Sequence, residues 1–273
     1  MEWSVLNVSA VVLSFNSKRY IETCVRSLVS SCDDLRLEGE IHVVENGSVD
    51  GSVEILKGLQ AEFGSRVSGT YLPENTGTPR SRNLALRRAR GQSVLILDSD
   101  AYMNAAALEA MIDYQRAHPK AGLVAPRLIY PSGRFQMSVD AFPTVSRKVQ
   151  RYLSLRELEA REPPAAAGPV DYAISACWLL SSEAIAAVGL LDERIFYSPE
   201  DVDYCIRIWQ AGYQVHYLPE VSVVHDAQEI SRPKGAAINR YTIRHAKGLL
   251  YLFAKHRYGL SLDGLYRRVG RHA

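Results

Sequence analysis

The sequence predicts an α/β fold in which helices cover both faces of a mainly parallel β-sheet. Short apolar runs typical of strands, such as residues 8–15 and 94–97, alternate with segments that repeat apolar residues every three or four positions. Parallel strands give such continuous apolar runs because both faces of the sheet are buried. The length of 273 residues suits one large domain, or one domain with an extension.

Each predicted element follows from its apolar pattern and from the residues that end it. In the first half these are strands at 8–15, 41–44, 67–72 and 94–97, and helices near 20–28, 53–59 and 82–90. In the second half these are a loop at 163–169, a strand at 172–180, helices at 182–188 and 199–211, strands at 214–217 and 221–224, and a basic amphipathic helix at 236–257. The helices at 182–188 and 199–211 each end before a glycine.

The composition argues against several classes of protein. The four cysteines lack the spacing of a zinc site, and no apolar run approaches the roughly 18 residues of a membrane span. The N-terminus carries Glu2 where a signal peptide would be basic. We therefore expect a cytoplasmic protein without a disulfide framework.

The net charge of +2 hides an asymmetry along the chain. Ten Lys and Arg accompany one acid from Arg232 onward, whereas the preceding residues hold 22 Lys and Arg against 29 acids. The basic helix at 236–257 allows two interpretations: it packs on the domain with a solvated basic face, or it docks peripherally on an anionic membrane surface. We expect no nucleic-acid partner, because no recognition motif accompanies the charge.

Asp98, Ser99 and Asp100 directly follow the strand run VLIL. Two carboxylates two residues apart at the end of a strand can converge on a hard divalent cation, which prefers oxygen ligands. The alternative is that these acids cap the next helix, and the short DxD pattern alone does not decide between the two interpretations.

The segment SPEDVD at 198–203 allows a structural and a catalytic interpretation. Ser198 fits an N-cap and Pro199 fits the first position of a helix, where acids are favoured by the helix dipole. A carboxylate in the first turn that points into a cleft also suits a general base, which makes Glu200 and Asp201 candidates.

His225 follows the apolar run VSVV and is either a packed core residue or a metal ligand that complements carboxylates. Asn16, Glu45 and Asp98 likewise lie just beyond the last apolar residue of a strand. In parallel sheets ligands bind at the carboxyl ends of the strands, so we expect these residues to share one crevice.

Several stretches, in this order, resemble the GT-A glycosyltransferases of family 2, particularly the rhamnosyltransferase-like branch. They are VVLSFNS at 11–17, VVENGSVDGS at 43–52, ENTGTPRSRNLALRRARGQSVLILDSDA at 74–101, APRLIYPSGRFQMS at 125–138 and the block from Val188 to His225. The resemblance implies a Rossmann-like GT-A domain at about 1–230, with a nucleotide-binding half at about 1–103 and an acceptor half at about 104–230. A C-terminal helical extension at 231–273 would follow.

The resemblance also implies a donor site. Glu45 would accept a hydrogen bond from a pyrimidine N–H, and Arg82 would lie in the segment that lines the diphosphate. The implied nucleotide-sugar contacts are Ser14, Phe15, Asn16, Glu45, Asn75, Gly77, Arg82, Asp98 and Ser99.

The same resemblance implies a divalent metal, Mn²⁺ or Mg²⁺, held by Asp100, Asp98 and His225. Asp201 resembles the catalytic base, with Glu200 beside it orienting the acceptor or substituting as base.

Two departures from the family pattern concern recognition rather than chemistry. The family usually has Asp in place of Glu45, and an aromatic residue directly before the ED pair, where Ser198 and Pro199 stand in this chain. Trp178, in the strand that faces the acceptor in the family, is predicted to stack on an acceptor sugar.

The implied activity is metal-dependent, inverting transfer of a hexosyl or rhamnosyl group from a UDP- or dTDP-sugar to an acceptor hydroxyl in polysaccharide or glycolipid assembly. The acceptor would be a glycan or a lipid-linked sugar. Two alternatives stay open. One is a nucleotidyltransferase, for which a Gly-rich phosphate loop would be expected where SFNSKRY stands; the other is a non-catalytic nucleotide-sugar-binding protein.

Overall fold

The computed structural model describes residues 7–147, 166–227 and 240–271. Its strands are β1 Val8–Ser14, β2 Gly39–Asn46, β3 Val67–Leu72, β4 Ser93–Asp98, β5 Ala101–Tyr102, β6 Ala121–Ile129, β7 Phe135–Gln136, β8 Val139–Asp140, β9 Gly168–Pro169, β10 Tyr172–Ala173, β11 Cys177–Ser181 and β12 Gln214–His225. Its helices are α1 Ile21–Asp34, α2 Ser52–Phe63, α3 Thr78–Leu86, α4 Ala105–Ala117, α5 Ser182–Val188, α6 Glu200–Gln210, α7 Arg240–Lys255 and α8 Asp263–Arg268.

One large sheet organises the described chain, with strands in the order β3–β2–β1–β4–β11–β6–β12–β5. The strands from β3 to β4 are mutually parallel, and β12 is parallel to β6. Between these groups β11 runs antiparallel to both β4 and β6. The prediction of a mainly parallel, Rossmann-like sheet with flanking helices is confirmed.

A separate apolar core lies on each face of the sheet, because side chains alternate along every strand. On β4, Leu95 and Leu97 face the core shared with α1, α2 and α4. Val94 and Ile96 face the other core, which is shared with α3, α5, α6, α7 and α8. Helix α3 and the C-terminal helices α7 and α8 therefore pack on the same face of the sheet.

Several predicted elements differ in extent from those observed. The strand expected at 172–180 is two strands, β10 and β11, because the chain bends at residues 174–176. The two short strands expected at 214–217 and 221–224 are one strand, β12, with irregular register between Leu218 and Ser222. Pro219, which lacks an N–H group, lies in that irregular stretch. Helix α4 and strand β6 were not predicted from the sequence.

The start of α6 also corrects a prediction. The helix begins at Glu200, and Pro199 is its N-cap residue, with no side-chain hydrogen bond capping the helix. Ser198 is therefore not the N-cap, and the bond between Ser198 and Pro199 is cis.

Part of the C-terminal extension lies outside the described residues, including the first residues of the helix predicted at 236–257. Of the loop predicted at 163–169, Pro163 and Pro164 also lie outside them, whereas Pro169 belongs to β9. Within the residues that the structure describes, none of the helices is long and apolar enough to cross a membrane.

Candidate active site

The donor-side loops meet at the carboxyl ends of β1, β2 and β4. Because these parallel strands are in register, Ser14 pairs with Glu45 and Leu13 pairs with Asp98. Predicted site residues from three separate segments therefore lie side by side at one edge of the sheet, where ligands of parallel sheets bind.

The turn after β1 is hydrogen-bonded to the loop after β2. The backbone N–H of Asn16 donates to Ser48 Oγ at 2.8 Å, and Asn16 Oδ1 accepts from the N–H of Val49 at 3.0 Å. Asn16 has a left-handed φ of 49°, and its side chain and that of Phe15 are exposed. Ser14 is buried, so it can shape this turn from below but presents little surface to a ligand.

Glu45 is buried at the end of β2, and its carboxylate organises the turn that follows. Its two oxygens accept from the backbone N–H of Ser48 at 3.1 and 3.2 Å, and the Ser48 hydroxyl makes an additional short hydrogen bond. The carboxylate is therefore fixed in place, as a rigid base-recognition group would need to be.

Asn75 and Gly77 hold the loop that leads into α3. Asn75 Oδ1 accepts from Asn46 Nδ2 at 3.1 Å and from the Gly77 N–H at 2.9 Å. A Cβ at Gly77 would lie 2.3 Å from the carbonyl oxygen of Phe196, and the Thr78 N–H donates to that oxygen at 2.7 Å. This loop thus touches the segment that immediately precedes α6.

Asp98, Asp100 and His225 form a group able to hold a metal ion. One ligand atom from each residue lies within 4.8 Å of the others. His225 Nε2 lies 3.3 Å from an Asp100 oxygen, and its Nδ1 hydrogen-bonds Gln136 Oε1 at 2.8 Å. The hydrogen bond to Gln136 orients the ring with Nε2 toward the carboxylates, as the hydrogen bond to the other ring nitrogen does for a metal-bound histidine. Ser99 is buried between the two acids.

The three side chains fit a hard or borderline divalent cation, because they combine carboxylate oxygens with one imidazole nitrogen. Burial lowers the pKa of His225, but the hydrogen bond to Asp100 and the charges of both acids outweigh it, so its pKa lies above the usual value. Burial raises the pKa of Asp98, against the opposing charge of Arg82. A divalent cation would relieve the crowding of negative charge between the two acids.

Arg82 joins the predicted metal group to the start of α6. Its guanidinium is buried and forms a short ion pair with Asp98. It also donates to Ser175 Oγ at 2.7 Å and to the Ser175 carbonyl at 3.1 Å, and it lies 3.6 Å from a Glu200 oxygen. The terminal nitrogens of Arg82 thus contact protein acceptors, and its predicted place in the segment that lines the diphosphate stays a prediction.

Glu200 and Asp201 lie in different environments although they are adjacent in sequence. Glu200 is 6% exposed and accepts from Ser175 Oγ at 3.1 Å. Burial and, next, the charge of Asp201 raise the pKa of Glu200 to about 8. Asp201 is only partly buried in the first turn of α6, and its Oδ1 accepts from the Val202 N–H at 2.8 Å. At neutral pH Glu200 is therefore mostly protonated.

Trp178 does not lie on the surface of the crevice, and its predicted acceptor role is wrong. Its side chain is 0% exposed and stacks on Tyr204 with ring centroids 5.9 Å apart. Strand β11 is central in the sheet, so its residues face the core rather than an open cleft.

The C-terminal helix α7 packs against the segment that leads into α6. A Cβ at Gly248 would lie 2.4 Å from the Ser198 carbonyl oxygen. Lys255 Nζ lies 2.7 Å from Asp192 and 2.6 Å from Asp203, and His256 Nε2 lies 2.8 Å from the same Asp203 oxygen. These contacts show that the described part of this helix packs on the domain through one of its faces.

Two residues of the site were missed from the sequence. Gln136 orients His225, and Ser175 connects Arg82 with Glu200. Gln136 stands inside the stretch FQMS that carries the family resemblance, which gave a usable signal. Ser175 lies in a stretch whose apolar pattern predicts one continuous strand, so no local feature of the sequence indicated that it belongs to the site.

The curled, mainly parallel sheet and its strand-end acids define a GT-A fold. Such a fold is also seen in a mannosyltransferase from Pyrobaculum calidifontis, solved with GDP-mannose and Mn²⁺. The two superpose with a TM-score of 0.63 at 21% identity, over 97% of this chain and 68% of that one.

Residues 9–189 match the family model described as glycosyl transferase family 2, and the chain belongs to that family. It is 34% identical over 155 residues to a pre-mycofactocin glycosyltransferase of Mycobacterium tuberculosis, covering 56% of this chain and 31% of that protein. It is 25% identical over 237 residues to an N-acetylglucosaminyl-diphospho-decaprenol L-rhamnosyltransferase of the same organism, covering 79% of this chain and 74% of that protein. The chain thus spans about a third of the length of the first relative. The family match ends before α6.

Proposed function

We propose that this chain transfers a hexosyl or rhamnosyl group from a nucleotide-diphosphate sugar to an acceptor hydroxyl, with inversion and with dependence on a divalent cation. The observation that carries the proposal is the buried Arg82, which contacts both Asp98 and Glu200. Through it the strand-end acids and the start of α6 adjoin one site, as a single displacement between a donor and an acceptor requires.

Membership of family 2 and the donor-side geometry support a nucleotide-sugar donor. Hydrogen bonds connect the Glu45 carboxylate, the exposed turn at Asn16 and the loop at Asn75 at the carboxyl ends of β1 and β2. The mannosyltransferase with a similar fold binds GDP-mannose. For this chain we propose UDP or dTDP, with Glu45 accepting from the N–H of the pyrimidine.

Asp98, Asp100 and His225 would hold Mn²⁺ or Mg²⁺. When bound there, such an ion supplies Lewis-acid stabilisation of the negative charge that develops on the leaving diphosphate. Gln136 keeps His225 in the orientation that this role needs. Arg82 fixes Asp98 from beneath and supplies a compensating positive charge.

Asp201 is proposed as the general base. It is less buried than Glu200, and it lies in the first turn of α6, where the helix dipole favours negative charge. It would take the proton from the acceptor hydroxyl as that oxygen attacks the anomeric carbon, whose transition state is oxocarbenium-like. Glu200, protonated at neutral pH, would orient the acceptor or the adjacent Asp201 rather than accept the proton.

The acceptor is proposed to be a glycan or a lipid-linked sugar, in polysaccharide or glycolipid assembly. The relative that aligns over most of this chain is named for a diphospho-decaprenol acceptor, which supports a lipid-linked one.

The function is tested with a panel of UDP-, dTDP- and GDP-sugars, with and without Mn²⁺, by following nucleotide release and the anomeric configuration of the product. We expect one donor class to be used, with inversion and loss of activity in EDTA. In Asp100→Ala, donor binding should be weaker than in the wild type and should no longer depend on Mn²⁺. Pyrophosphate release from a nucleoside triphosphate and a sugar 1-phosphate, assayed in parallel, would indicate a nucleotidyltransferase, and binding without turnover would indicate a non-catalytic binder.

A further inference from the structure

The outward face of α7 carries large aliphatic side chains that the described protein does not cover. Ile243 is 49% exposed and Leu250 is 70% exposed, and their spacing of seven residues places them on the same side of the helix. Leu260, just beyond the helix, is 87% exposed. Among the described residues, the exposed Leu and Ile side chains all belong to this stretch from Ile243 to Leu260.

The opposite face of the same helix is used for packing on the domain. Leu252 is fully buried in the core on that side, and Gly248 touches the Ser198 carbonyl. Lys255 points inward to Asp192 and Asp203. Packing on the domain therefore accounts for the inner face of α7 but leaves the outer one unexplained.

Positive charge surrounds the exposed aliphatic residues. Lys247 lies between Ile243 and Leu250 on the helix surface, and the basic residues exposed on and around α7 and α8 are Arg244, Lys247, Arg257, Arg267 and Arg268. Asp263 is the exposed acid among the described residues of this region. Arg244 additionally stacks over Phe196, 4.0 Å from the ring centroid. We call the set Ile243, Lys247, Leu250 and Leu260, with these basic neighbours, the outer face.

We propose that the outer face docks on an anionic lipid bilayer. Aliphatic side chains would enter the interface between headgroups and acyl chains while the basic residues meet lipid phosphates. A nucleic acid would pair with the cations but leave the leucines in water. A second copy of this face would place like charges against each other. A bilayer satisfies both features.

The benefit of such docking rests on the proposed function, because a lipid-linked acceptor resides at the membrane. A helix is about 10 Å thick, so docking through α7 would hold the start of α6 about one helix diameter from the headgroups. The proposed base Asp201 would then lie close to the surface where such an acceptor is presented.

The test is flotation of the full chain with vesicles of phosphatidylcholine alone and of phosphatidylcholine with about one third phosphatidylglycerol. We expect flotation on the anionic vesicles and little on the neutral ones, since the charge term and the apolar term act together. Leu250→Asp and Lys247→Glu should each lower the bound fraction roughly tenfold or more. The control for the added charge is Val49→Asp, because Val49 is 92% exposed and lies between β2 and α2, outside the outer face, and only its flotation is compared.

Equal flotation of Leu250→Asp and the wild type would overturn the inference. It would also be overturned if Leu250→Asp lost self-association in sedimentation but floated like the wild type, because the outer face would then bind a second copy of the chain. Transfer to a water-soluble acceptor should be unchanged in both variants. A protein that transfers sugar but never floats would contradict only the docking. One that floats but transfers no sugar to any acceptor would contradict only the proposed function.

Discussion

At the scale of single residues, two adjacent carboxyl groups differ in what they can do. Glu200 is surrounded by Arg82, Ser175 and apolar core, whereas Asp201 is partly open at the helix start. A general base must be unprotonated at the working pH, and the raised pKa of Glu200, about 8, makes Glu200 a poor base near neutrality.

This contrast predicts unequal effects of two conservative substitutions. Asp201→Asn should lower kcat by about 10²–10⁴-fold at pH 7, because it removes the group that accepts the proton. Glu200→Gln should retain most of the turnover, because a protonated carboxyl and an amide are similar there. The measurement is turnover at saturating donor, with donor affinity measured separately as a control. If Glu200→Gln were the inactive variant and Asp201→Asn nearly normal, the assignment would have to be reversed.

Glu200 also predicts a pH dependence of stability. Its pKa of about 8 in the folded protein lies well above the value of about 4.3 expected in the unfolded chain. The folded state therefore holds a proton that the unfolded state loses between these values, so this group's stabilising contribution falls as pH rises and is lost by about pH 8. The free energy of unfolding of the wild type should decline relative to Glu200→Gln by at most about 1.4 kcal/mol per pH unit. Urea unfolding at pH 5 to 9 measures the difference, and parallel curves for the two proteins would refute the raised pKa.

At the scale of elements, α7 supports the start of α6 through close backbone contact and buried charge. Gly248 lies against Ser198, and Lys255 with His256 meets Asp203, one turn after the proposed acid pair. Arg207 completes this cluster with a 2.9 Å ion pair to Asp203. The position of Asp201 thus depends on a helix near the other end of the chain.

A wedge at Gly248 tests this support. Gly248→Ala should favour the helix by about 1 kcal/mol on propensity alone, but its new methyl group would have to displace the Ser198 carbonyl. We expect kcat to fall roughly tenfold, because shifting Ser198 would move the start of α6 and with it Asp201, and a misplacement of about 1 Å can lower a rate by about 10²-fold. The KM for the donor should change little. The matched control is Gly58→Ala in α2, where an added Cβ meets nothing within 4 Å and activity should be unchanged. Equal activity of both variants would refute the positioning role.

The sequence predicted most elements, because buried strands and amphipathic helices leave strong local periodicity. Strands β1 to β4 were expected within two residues of their observed bounds. The errors have local causes. The break between β10 and β11 was missed because residues 172–180 are apolar apart from Ser175, which lies in the bend between the two strands and accepts a hydrogen bond from Arg82. Trp178 was misassigned because a sequence pattern does not show which side of a strand is covered. The grouping of Asp98, Asp100 and His225 was recovered because each stands at the end of an apolar run.

At the scale of the whole molecule, the C-terminal helices α7 and α8 contribute buried side chains to the core of the domain. Leu252 and Leu265 are fully buried in the same core as Val202 and Ile206 of α6. Arg271 also lies 2.6 Å from the buried Asp171, so the last described residue is paired with the segment that leads into β10. We therefore expect the described parts of the chain to unfold as one cooperative unit.

Neighbouring leucines on α7 test this expectation. Leu252→Ala should lower the free energy of unfolding by about 2–5 kcal/mol, because it leaves a cavity in a fully buried position. Leu250→Ala, two residues away and 70% exposed, should change it by less than about 0.5 kcal/mol. Denaturant unfolding followed by both fluorescence and circular dichroism gives the values. Separate transitions by the two probes in the wild type would contradict a single unit.

The one buried guanidinium between Asp98 and Glu200 limits how this architecture can be recombined. A chimaera that grafts the acceptor-side half of another family member onto this donor-side half must bring an equivalent of Ser175 and a carboxyl in register with Arg82. A graft that lacks them would leave the buried Arg82 guanidinium without these partners, which would lower the free energy of unfolding by several kcal/mol. Exchange of acceptor specificity in this scaffold is therefore better sought in surface loops than by transplanting whole halves.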